Sequence, residues 1–317
     1  MFSLISIVIP AYNEEGNLRQ ITFSLDKVMM GTGYDYEVII VDDGSTDQSG
    51  HIIKELTRQN PHVFFLELSK NYGHQVALKA GMDCARGDCV ISMDGDMQHP
   101  PELIPDLLSK WKEGYDVVYT IRKEDKRLSR KKRLTSRVFY KILNNLGNLD
   151  LEEGVADFRL MDRKIIDILR DFKENDLFLR GILKWMGFRQ YSIPYEPDQR
   201  YSGKSKYTLK KMLSLALHGI MSFSIKPLYL AVYLGLGLSV LSVLYIPYVL
   251  YAFYSHTAVT GWASVIMTIV FFGGLQLSVL GIIGIYVGKT FIQAKSRPNY
   301  IIRSTNIPLT VNDITKL

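Results

Sequence analysis

The sequence lacks both glycine-rich motifs that commonly hold nucleotide phosphates, G-x-G-x-x-G and G-x-x-x-x-G-K. If this chain binds a nucleotide, a metal ion must carry the phosphate charge instead. Cysteine is scarce as well, since Cys84 and Cys89 are the only two and neither has the neighbouring pattern of a zinc site. We expect both to be reduced core thiols of a cytoplasmic domain. No secretory signal is expected, because the apolar run 4–10 is too short and an acidic turn follows it.

Charged residues are absent from two long stretches, 227–254 and 262–287. Each exceeds the roughly 20 residues that cross a bilayer, whereas the alternative, a soluble core helix, would be about ten residues shorter. The connector 255–261 contains no lysine or arginine. Basic residues flank the pair instead, at Lys226, Lys289, Lys295 and Arg297. This distribution predicts a two-span hairpin in the cell membrane with both termini in the cytoplasm.

The net charge of +6 is concentrated in two basic segments. One is 123–137, which includes Lys132, and the other is 200–211, shortly before the first hydrophobic stretch. Nucleic acid could attract such runs, but beside a membrane hairpin an anionic or phosphorylated lipid is the favoured partner. We therefore expect contact with the lipid bilayer and no nucleic-acid partner. Residues 213–223 have the pattern of an amphipathic helix that lies along the membrane surface.

Short β-branched runs alternate with segments of helical periodicity in the first part of the chain. Strands are predicted at 4–9, 37–41, 63–68, 89–93 and 117–120. Helices are predicted at 16–30, 47–59, 75–85 and 101–113. This alternation indicates an α/β domain with a mostly parallel sheet and right-handed crossovers. Ligands of such sheets bind at the carboxyl ends of the strands.

An acidic run, VISMDGDMQHP, follows the fourth predicted strand. Its Asp94, Asp96 and Gln98 are spaced by two, so extended backbone directs all three side chains to one side, and Gly95 leaves room for a ligand. Hard oxygen donors in this arrangement suit Mg²⁺ or Mn²⁺, which would bridge to the phosphates of a nucleotide. A solvated acidic turn is the alternative interpretation.

The first and second predicted strands end in PAYNEEGN and VDDGSTDQS. A pocket built from these ends would gather Tyr12, Asn13, Glu14, Asp42 and Asp43 beside the acidic run. A base could pack on Tyr12 while Glu14 or Asp43 accepts hydrogen bonds from the base or a ribose. For DDGSTD a plain helix cap formed by Ser45 or Asp47 is the alternative.

Taken in order, IVIPAYNEEGN, VIIVDDGSTD, LSKNYGHQVALKAG, DGDMQHPPELI, ADFRLMDR and RYSGKSKY resemble the family 2 inverting glycosyltransferases of GT-A (Rossmann-like) fold. Within that family the chain is similar to the polyprenyl-phosphate glycosyltransferases, namely the bactoprenol glucosyltransferases and dolichol-phosphate mannose synthases. The resemblance covers nearly the whole chain. The Q-x-x-R-W motif of processive members is absent, which favours a single transfer to a lipid. The two hydrophobic stretches fit the bactoprenol branch better.

The resemblance implies roles position by position. Nucleotide binding falls to Pro10, Tyr12, Asn13, Glu14, Asp42 and Asp43. Asp94 contacts the donor sugar and joins Asp96 and Gln98 around Mg²⁺ or Mn²⁺, while Arg122 faces the diphosphate. Asp157 stands at the position of the catalytic base, and a structural salt bridge to Arg159 or Arg163 is its alternative. The residues implied to bind the acceptor phosphate are Lys132, Arg159, Arg200, Ser205 and Lys206. We expect His74 and His218 to be structural.

The implied reaction is the inverting, metal-dependent transfer of one hexose onto polyprenyl (undecaprenyl) phosphate at the cytoplasmic membrane face, with UDP-glucose as the favoured nucleotide sugar. The alternatives are UDP-N-acetylglucosamine, UDP-galactose or GDP-mannose as donor, or a non-catalytic scaffold that binds a nucleotide sugar. The expected parts are a catalytic domain (1–165), an acceptor and juxtamembrane segment (166–225), two transmembrane helices (226–290) and a cytoplasmic tail (291–317). Glycines in the spans would let helices approach closely, so a homo-oligomer is one expectation.

Overall fold

The computed structural model describes residues 3–123, 152, 154–174, 177–196, 225–255 and 261–308. The chain divides into two compact units. The first comprises residues 1–141, 150–212 and 297–317, and its described part contains a β-sheet with helices. The second comprises residues 142–149 and 213–296, and its described part consists of two long helices.

The sheet of the first unit has eight strands within the described ranges. They are β1 (Leu4–Ala11), β2 (Asp35–Asp42), β3 (Val63–Leu68), β4 (Cys89–Ser92), β5 (Val117–Arg122), β6 (Val155–Asp162), β7 (Gln190–Tyr195) and β8 (Ile302–Thr305). Their spatial order is β7-β5-β6-β4-β1-β2-β3-β8, and β6 and β8 run antiparallel to the other six. The predicted α/β class with a mostly parallel sheet is therefore confirmed.

Helices lie between the strands of the sheet. Of the six described helices in this unit, the first four lie at the predicted places, and the last two were not predicted. The six are α1 (Leu18–Met30), α2 (Ser49–Gln59), α3 (His74–Cys84), α4 (Ile104–Lys112), α5 (Arg163–Arg170) and α6 (Leu179–Trp185), with a 3₁₀ turn (Pro101–Leu103) before α4. The helix α3 lies very close to the sheet, since a methyl group at Gly81 would collide with Val8 and Val41. This close packing determines how α3 lies on β1 and β2, and so where its first residue, His74, lies relative to the ends of the strands.

The centre of the sheet explains why the first strands are read so easily from the sequence. Every residue of β1 after Leu4 and every residue of β2 after Asp35 is buried. Strands covered by helices on both faces read as continuous apolar runs rather than alternating ones. Both cysteines are buried free thiols in this core, as predicted.

Three strands, β6, β7 and β8, were not predicted from the sequence. The strand β7 pairs parallel with β5 at one edge of the sheet. The strand β6 inserts antiparallel between β4 and β5 and carries Asp157 into the sheet. The strand β8 comes from beyond the last hydrophobic stretch and pairs with the edge of β3. Its Arg303 and Ser304 side chains bond Glu67, and Asn306 accepts a hydrogen bond from the Phe65 N–H at 2.7 Å. The C-terminal segment thus covers a sheet edge that would otherwise be open.

The second unit contains α7 (Lys226–Tyr254), with Pro247 inside it, and α8 (Trp262–Ala294). Both coincide with the predicted hydrophobic stretches. Within α8, the segment Phe271–Ala294 has a mean hydropathy of 1.7, and none of its residues is buried. Among the described residues it is the one helical segment that is long and apolar enough to cross a membrane. The second span and the orientation stay predictions, and residues 213–223 lie outside the described ranges.

Candidate active site

The acidic run forms the loop after β4, adjacent to β1, as predicted. Within it, Asp96 Oδ1 accepts a hydrogen bond from the Gln98 N–H at 3.2 Å, and Met97 between them adopts a left-handed backbone with φ of 61°. A methyl group added at Gly95 would lie 3.5 Å from the Pro10 carbonyl oxygen. The loop therefore packs against the end of β1, where the first predicted nucleotide-binding motif begins.

Asp94 lies between two histidines. Its Oδ1 is a buried atom without a hydrogen-bond partner among the described residues, 3.3 Å from His74 Nε2. Its backbone N–H donates to His99 Nδ1 at 3.0 Å, so the His99 proton resides on Nε2, 3.6 Å from Asp94 Oδ2. Burial lowers the pKa of His99 below its ordinary value of 6.5, which keeps that ring neutral. An unsatisfied buried carboxylate oxygen is costly without a ligand.

A divalent cation fits the Asp94 and Asp96 carboxylates, because they are hard oxygen donors and one oxygen is unsatisfied. The described residues contain no group of three histidine, cysteine, aspartate or glutamate side chains arranged for a metal. Two carboxylates would therefore share the ion with oxygens of a bound substrate, which is how Mg²⁺ is commonly held beside phosphates.

The third predicted ligand, Gln98, has a different partner. Its side-chain Oε1 accepts a hydrogen bond from Arg122 Nη2 at 2.9 Å. Arg122 ends β5 and also donates from Nε to the Tyr195 hydroxyl of β7 at 3.0 Å. The guanidinium predicted to face a diphosphate is thus held beside the acidic loop, and the amide oxygen predicted to face a metal is occupied by it.

The two aspartates at the end of β2, Asp42 and Asp43, organise loops through backbone N–H groups. Asp42 accepts from the Ser45 N–H at 2.9 Å. Asp43 accepts from the N–H groups of Tyr72 and Gly73 at 2.7 and 2.9 Å and so joins β2 to the loop before α3. Burial raises the pKa of the Asp43 carboxyl above its ordinary value of 3.8.

In the loop after β1 the Tyr12 side chain is partly exposed, whereas the side chains of Asn13 and Glu14 accept hydrogen bonds. Asn13, with φ of 57°, accepts from the Thr46 N–H at 2.9 Å, and Glu14 accepts from Asn17 Nδ2 at 2.6 Å. Tyr12 is 38% exposed at the end of the strand. The nucleotide-binding residues predicted from the sequence therefore lie together, with the Tyr12 ring available for stacking. The helix cap predicted as their alternative is present as well, because Asp47 Oδ1 accepts a hydrogen bond from the N–H of Ser49, the first residue of α2, at 2.9 Å.

Asp157, on β6, is the most heavily bonded carboxylate of the site. Its Oδ1 accepts from Arg159 Nη2 and Arg180 Nε, both at 3.0 Å. Its Oδ2 accepts from Arg180 Nη2 at 2.9 Å and Gln75 Nε2 at 3.2 Å, and His74 Nε2 is 3.5 Å away. Burial by itself raises the pKa of Asp157, but the charges of Arg180 and Arg159 and the contact with His74 hold it well below 3.8. The group is a fixed anion.

Two side chains of this cluster respond to its charges. Burial lowers the pKa of the Arg159 guanidinium to about 10 in spite of Asp157. Burial also lowers the pKa of His74, but the hydrogen bond to Asp157 and the charges of Asp94 and Asp157 outweigh it, so the net pKa lies above 6.5. The His74 side chain is 42% exposed, which leaves part of the ring open to a substrate.

The predicted acceptor residues are divided between two situations. Arg159 is buried and donates to Asp157 and to the Ala156 carbonyl, so it matches the predicted salt-bridge alternative for Asp157. Arg163, the other arginine considered, donates instead to the carbonyls of Ala85 and Gly87. The remaining four lie outside the described residues: Lys132, Arg200, Ser205 and Lys206.

Sequence reasoning missed several side chains of this site. His74 was interpreted as structural, although it begins α3 at the carboxyl end of β3, and that position was a usable signal. Arg180 carried no signal, because α6 has no motif that the sequence analysis used. Gln75 and Tyr195 were missed for the same reason: their roles come from which elements are neighbours in space.

Residues 6–169 match the sequence model of glycosyl transferase family 2. The chain belongs to this family. As a family 2 glycosyltransferase it is a transferase. The helix α6, which carries Arg180, lies beyond the matched segment.

Two relatives of this family 2 glycosyltransferase extend along nearly the whole chain. The uncharacterized glycosyltransferase YkcC of Bacillus subtilis (strain 168) is 42% identical over 301 residues, 95% of this chain and 93% of the relative. The prophage bactoprenol glucosyl transferase homolog of Escherichia coli (strain K12) is 37% identical over 300 residues, 94% and 98% of the two chains. A solved structure, mannosyltransferase PcManGT from Pyrobaculum calidifontis in complex with GDP-Man and Mn²⁺, aligns at 18% identity with a TM-score of 0.48, covering 70% and 64%.

Proposed function

We propose that this glycosyltransferase moves one hexose from a nucleotide sugar, with UDP-glucose the favoured donor, onto a polyprenyl phosphate at the cytoplasmic face of the membrane. The transfer depends on Mg²⁺ or Mn²⁺ and inverts the anomeric centre. The names of relatives with 37% identity over almost the whole chain, bactoprenol glucosyl transferases, support the lipid acceptor. UDP-N-acetylglucosamine, UDP-galactose and GDP-mannose are the alternative donors.

One observation carries the proposal: the unsatisfied Oδ1 of Asp94 lies in the same loop as Asp96 and Gln98, and the Arg122 guanidinium bonds that loop. A diphosphate brought here meets two carboxylates able to share a cation and one fixed positive charge. Asp94 and Asp96 would hold the ion, which supplies charge neutralisation to the leaving diphosphate when bound. Arg122 stabilises the same developing charge from a preorganised position.

The Tyr12 ring and the loops after β1 and β2 provide the nucleotide side of the site. Tyr12 stacks on the base, while Asp42, Asp43 and Asn13 hold the two loops in place through backbone N–H groups. This division explains why only part of the predicted nucleotide-binding set is open to a ligand: the other members shape the loops that the ligand contacts.

The acceptor needs no strong base. The second pKa of a phosphate monoester is about 6, so an oxygen of the lipid phosphate is already anionic at neutral pH. That oxygen attacks the anomeric carbon, the bond from this carbon to the diphosphate breaks, and the nucleoside diphosphate leaves. One displacement of this kind converts an α-linked donor into a β-linked product. Asp157 orders the acceptor side rather than removing a proton.

The membrane part of the proposal rests on the helices α7 and α8. Both cross the bilayer, with a short external connector and the sheet unit on the cytoplasmic side. The basic segments 123–137 and 200–211 meet anionic headgroups and the acceptor phosphate. A lipid phosphate and a water-soluble nucleotide sugar can then react at one surface.

A donor panel tests the proposal. Membranes containing the full chain are incubated with undecaprenyl phosphate, Mg²⁺ or Mn²⁺ and each radiolabelled nucleotide sugar, and lipid-linked label is extracted into butanol. We expect label from UDP-glucose that is lost with a chelator and restored by excess metal. If no donor gives an extractable product while the protein still binds nucleotide sugar, the scaffold alternative is correct. Labelled lipid formed without any metal would show that the transfer does not depend on a metal ion.

A further inference from the structure

Arg180 holds both oxygens of Asp157. Its Nε donates to Oδ1 at 3.0 Å and its Nη2 donates to Oδ2 at 2.9 Å, which is the paired geometry of a guanidinium with a carboxylate. The Asp157 side chain is only 8% exposed. Arg180 belongs to α6, beyond the segment 6–169 that matches the family model, so this contact is made by a part of the chain outside that segment.

The other donors to Asp157 constrain it less. Arg159 reaches Oδ1 alone, and Gln75 reaches Oδ2 alone. These two donors belong to separate side chains that can adjust independently, and the last side-chain torsion of an aspartate has a broad energy profile. The Arg180 fork fixes the plane of the carboxylate, because two parallel bonds from one rigid group allow a single orientation.

A line of contacts leads from Arg180 to the donor side of the site. Asp157 Oδ2 lies 3.5 Å from His74 Nε2, and the same nitrogen lies 3.3 Å from Asp94 Oδ1. Four elements are linked in this way: α6, β6, the start of α3 and the loop after β4. His74 is therefore placed between the carboxylate of the acceptor side and the carboxylate of the donor side.

We propose that Arg180 is a positioning residue of the transfer reaction. It fixes the plane of Asp157, Asp157 fixes the His74 ring, and His74 keeps Asp94 oriented toward the donor. This inference rests on the proposed function for the reaction it serves. Its immediate effect, the orientation of His74, can be observed without turnover.

The kinetic test compares Arg180→Ala, Arg180→Lys and the wild-type full chain in lipid nanodiscs, with undecaprenyl phosphate and UDP-glucose. We expect kcat per folded molecule to fall by about ten- to a hundredfold in Arg180→Ala, since small misplacements at a reacting centre cost this much. The donor KM should stay within about twofold, because the Tyr12 loops are untouched. Arg180→Lys should recover the folded fraction but not kcat, since an ammonium cannot form the fork.

The matched control is Arg19→Ala, which removes an arginine that also forms a paired contact, with Glu55 on the surface between α1 and α2. Its kcat and KM should equal those of the wild type. A structural role alone for Arg180 predicts that kcat per folded molecule is unchanged in Arg180→Ala, or that kcat returns with stability in Arg180→Lys. Either result would overturn the inference.

A second readout separates this inference from the proposed function. In the full chain labelled with ¹⁵N-histidine, the His74 ring resonances are assigned by their loss in His74→Asn. We expect them to shift in Arg180→Ala and to stay in place in Arg19→Ala. An unshifted ring in a folded Arg180→Ala protein refutes the contact line, whether or not any donor is turned over. A shifted ring in a protein that transfers no sugar refutes only the proposed function.

Discussion

Arg122 donates a hydrogen bond from Nη2 to the side-chain Oε1 of Gln98 at 2.9 Å. The family resemblance implied different roles for these two residues. The guanidinium of Arg122 would face the diphosphate, and the amide of Gln98 would bind the metal. Their direct bond makes Gln98 a partner of the arginine that closes the acidic loop from the β5 side. We therefore expect the metal to be held by Asp94, Asp96 and the substrate.

The first prediction separates Gln98 from the metal carboxylates. Asp96→Ala should abolish metal-dependent transfer, whereas Gln98→Ala should lower Mn²⁺ affinity by only about tenfold, the lower end of the range for a residue behind the ligands. Mn²⁺ binding is measured by electron paramagnetic resonance in the presence of UDP. Equal loss of Mn²⁺ affinity in both variants would return Gln98 to the ligand set.

The second prediction concerns the pH dependence of stability through Asp157. Its pKa in the folded protein is well below 3.8 because Arg180, His74 and Arg159 outweigh burial. A carboxyl with a depressed folded pKa contributes stability that is complete above its unfolded pKa and is lost as the pH falls through the folded value. Asp157→Asn should therefore lower the unfolding free energy by about 3 kcal/mol at neutral pH, since it leaves the buried Arg159 and the partly exposed Arg180 without their anionic partner.

The measurement for Asp157 is chemical denaturation of the full chain in detergent, followed by tryptophan fluorescence at several pH values. The difference between wild type and Asp157→Asn should be constant above about pH 5 and should narrow at pH values below 3.8. Glu55→Gln, which alters an exposed pair with Arg19, is the control and should show a small difference throughout. A difference that grows toward acid pH would contradict the assignment of Asp157 as a fixed anion.

The third prediction concerns the C-terminal return of the chain. The Tyr300 hydroxyl donates to Asp83 Oδ2 at 2.9 Å, and Asp83 also pairs with the buried Lys79 of α3. Tyr300→Phe should lower the unfolding free energy by about 2 kcal/mol, because one buried hydrogen bond to a charged group is lost. Thermal unfolding measures the change, and Tyr229→Phe on an exposed position of α7 serves as control. Equal stability of wild type and Tyr300→Phe would show that the contact contributes nothing.

The fourth prediction concerns the two membrane spans. The native Cys84 and Cys89 are buried, so they should not react with a membrane-impermeant maleimide. In intact cells Thr257→Cys, in the predicted connector, should be labelled, whereas Lys295→Cys, after α8, should be labelled only once the membrane is opened. Labelling of both sites in intact cells, or of neither, would contradict the predicted hairpin.

Much of the fold could be predicted because the central strands are buried on both faces. Continuous runs such as those of β1 and β2 are recognisable from sequence alone, and so are the two long apolar helices. The strands β6, β7 and β8 were not predicted, because an antiparallel insertion and the two edge strands depend on pairing between distant segments. In β6 the apolar residues Ala156, Phe158 and Leu160 do alternate with Asp157 and Arg159, and this alternation was a usable signal.

The site residues that directly follow a strand could be predicted from the sequence. Asp94, Asp96 and the Tyr12 loop follow strands directly, so the parallel sheet was sufficient to bring them together. The role of Gln98 was not predictable in the same way, because it depends on Arg122, a partner supplied by another element. The salt bridge of Arg159 with Asp157 was among the predicted alternatives, since both residues lie on β6. Arg180 illustrates the same limit as Gln98, since its contact with Asp157 follows from the position of α6.

The most direct test of the central claim is mass spectrometry of the lipid after incubation of purified full-length protein with undecaprenyl phosphate, UDP-glucose and Mn²⁺. The account predicts a lipid whose mass increases by one hexose residue, formed by wild type and absent both with a chelator and in Asp96→Ala. Hydrolysis of UDP-glucose with an unmodified lipid would contradict transfer to the lipid phosphate, and an equal yield in the chelator would contradict the metal site.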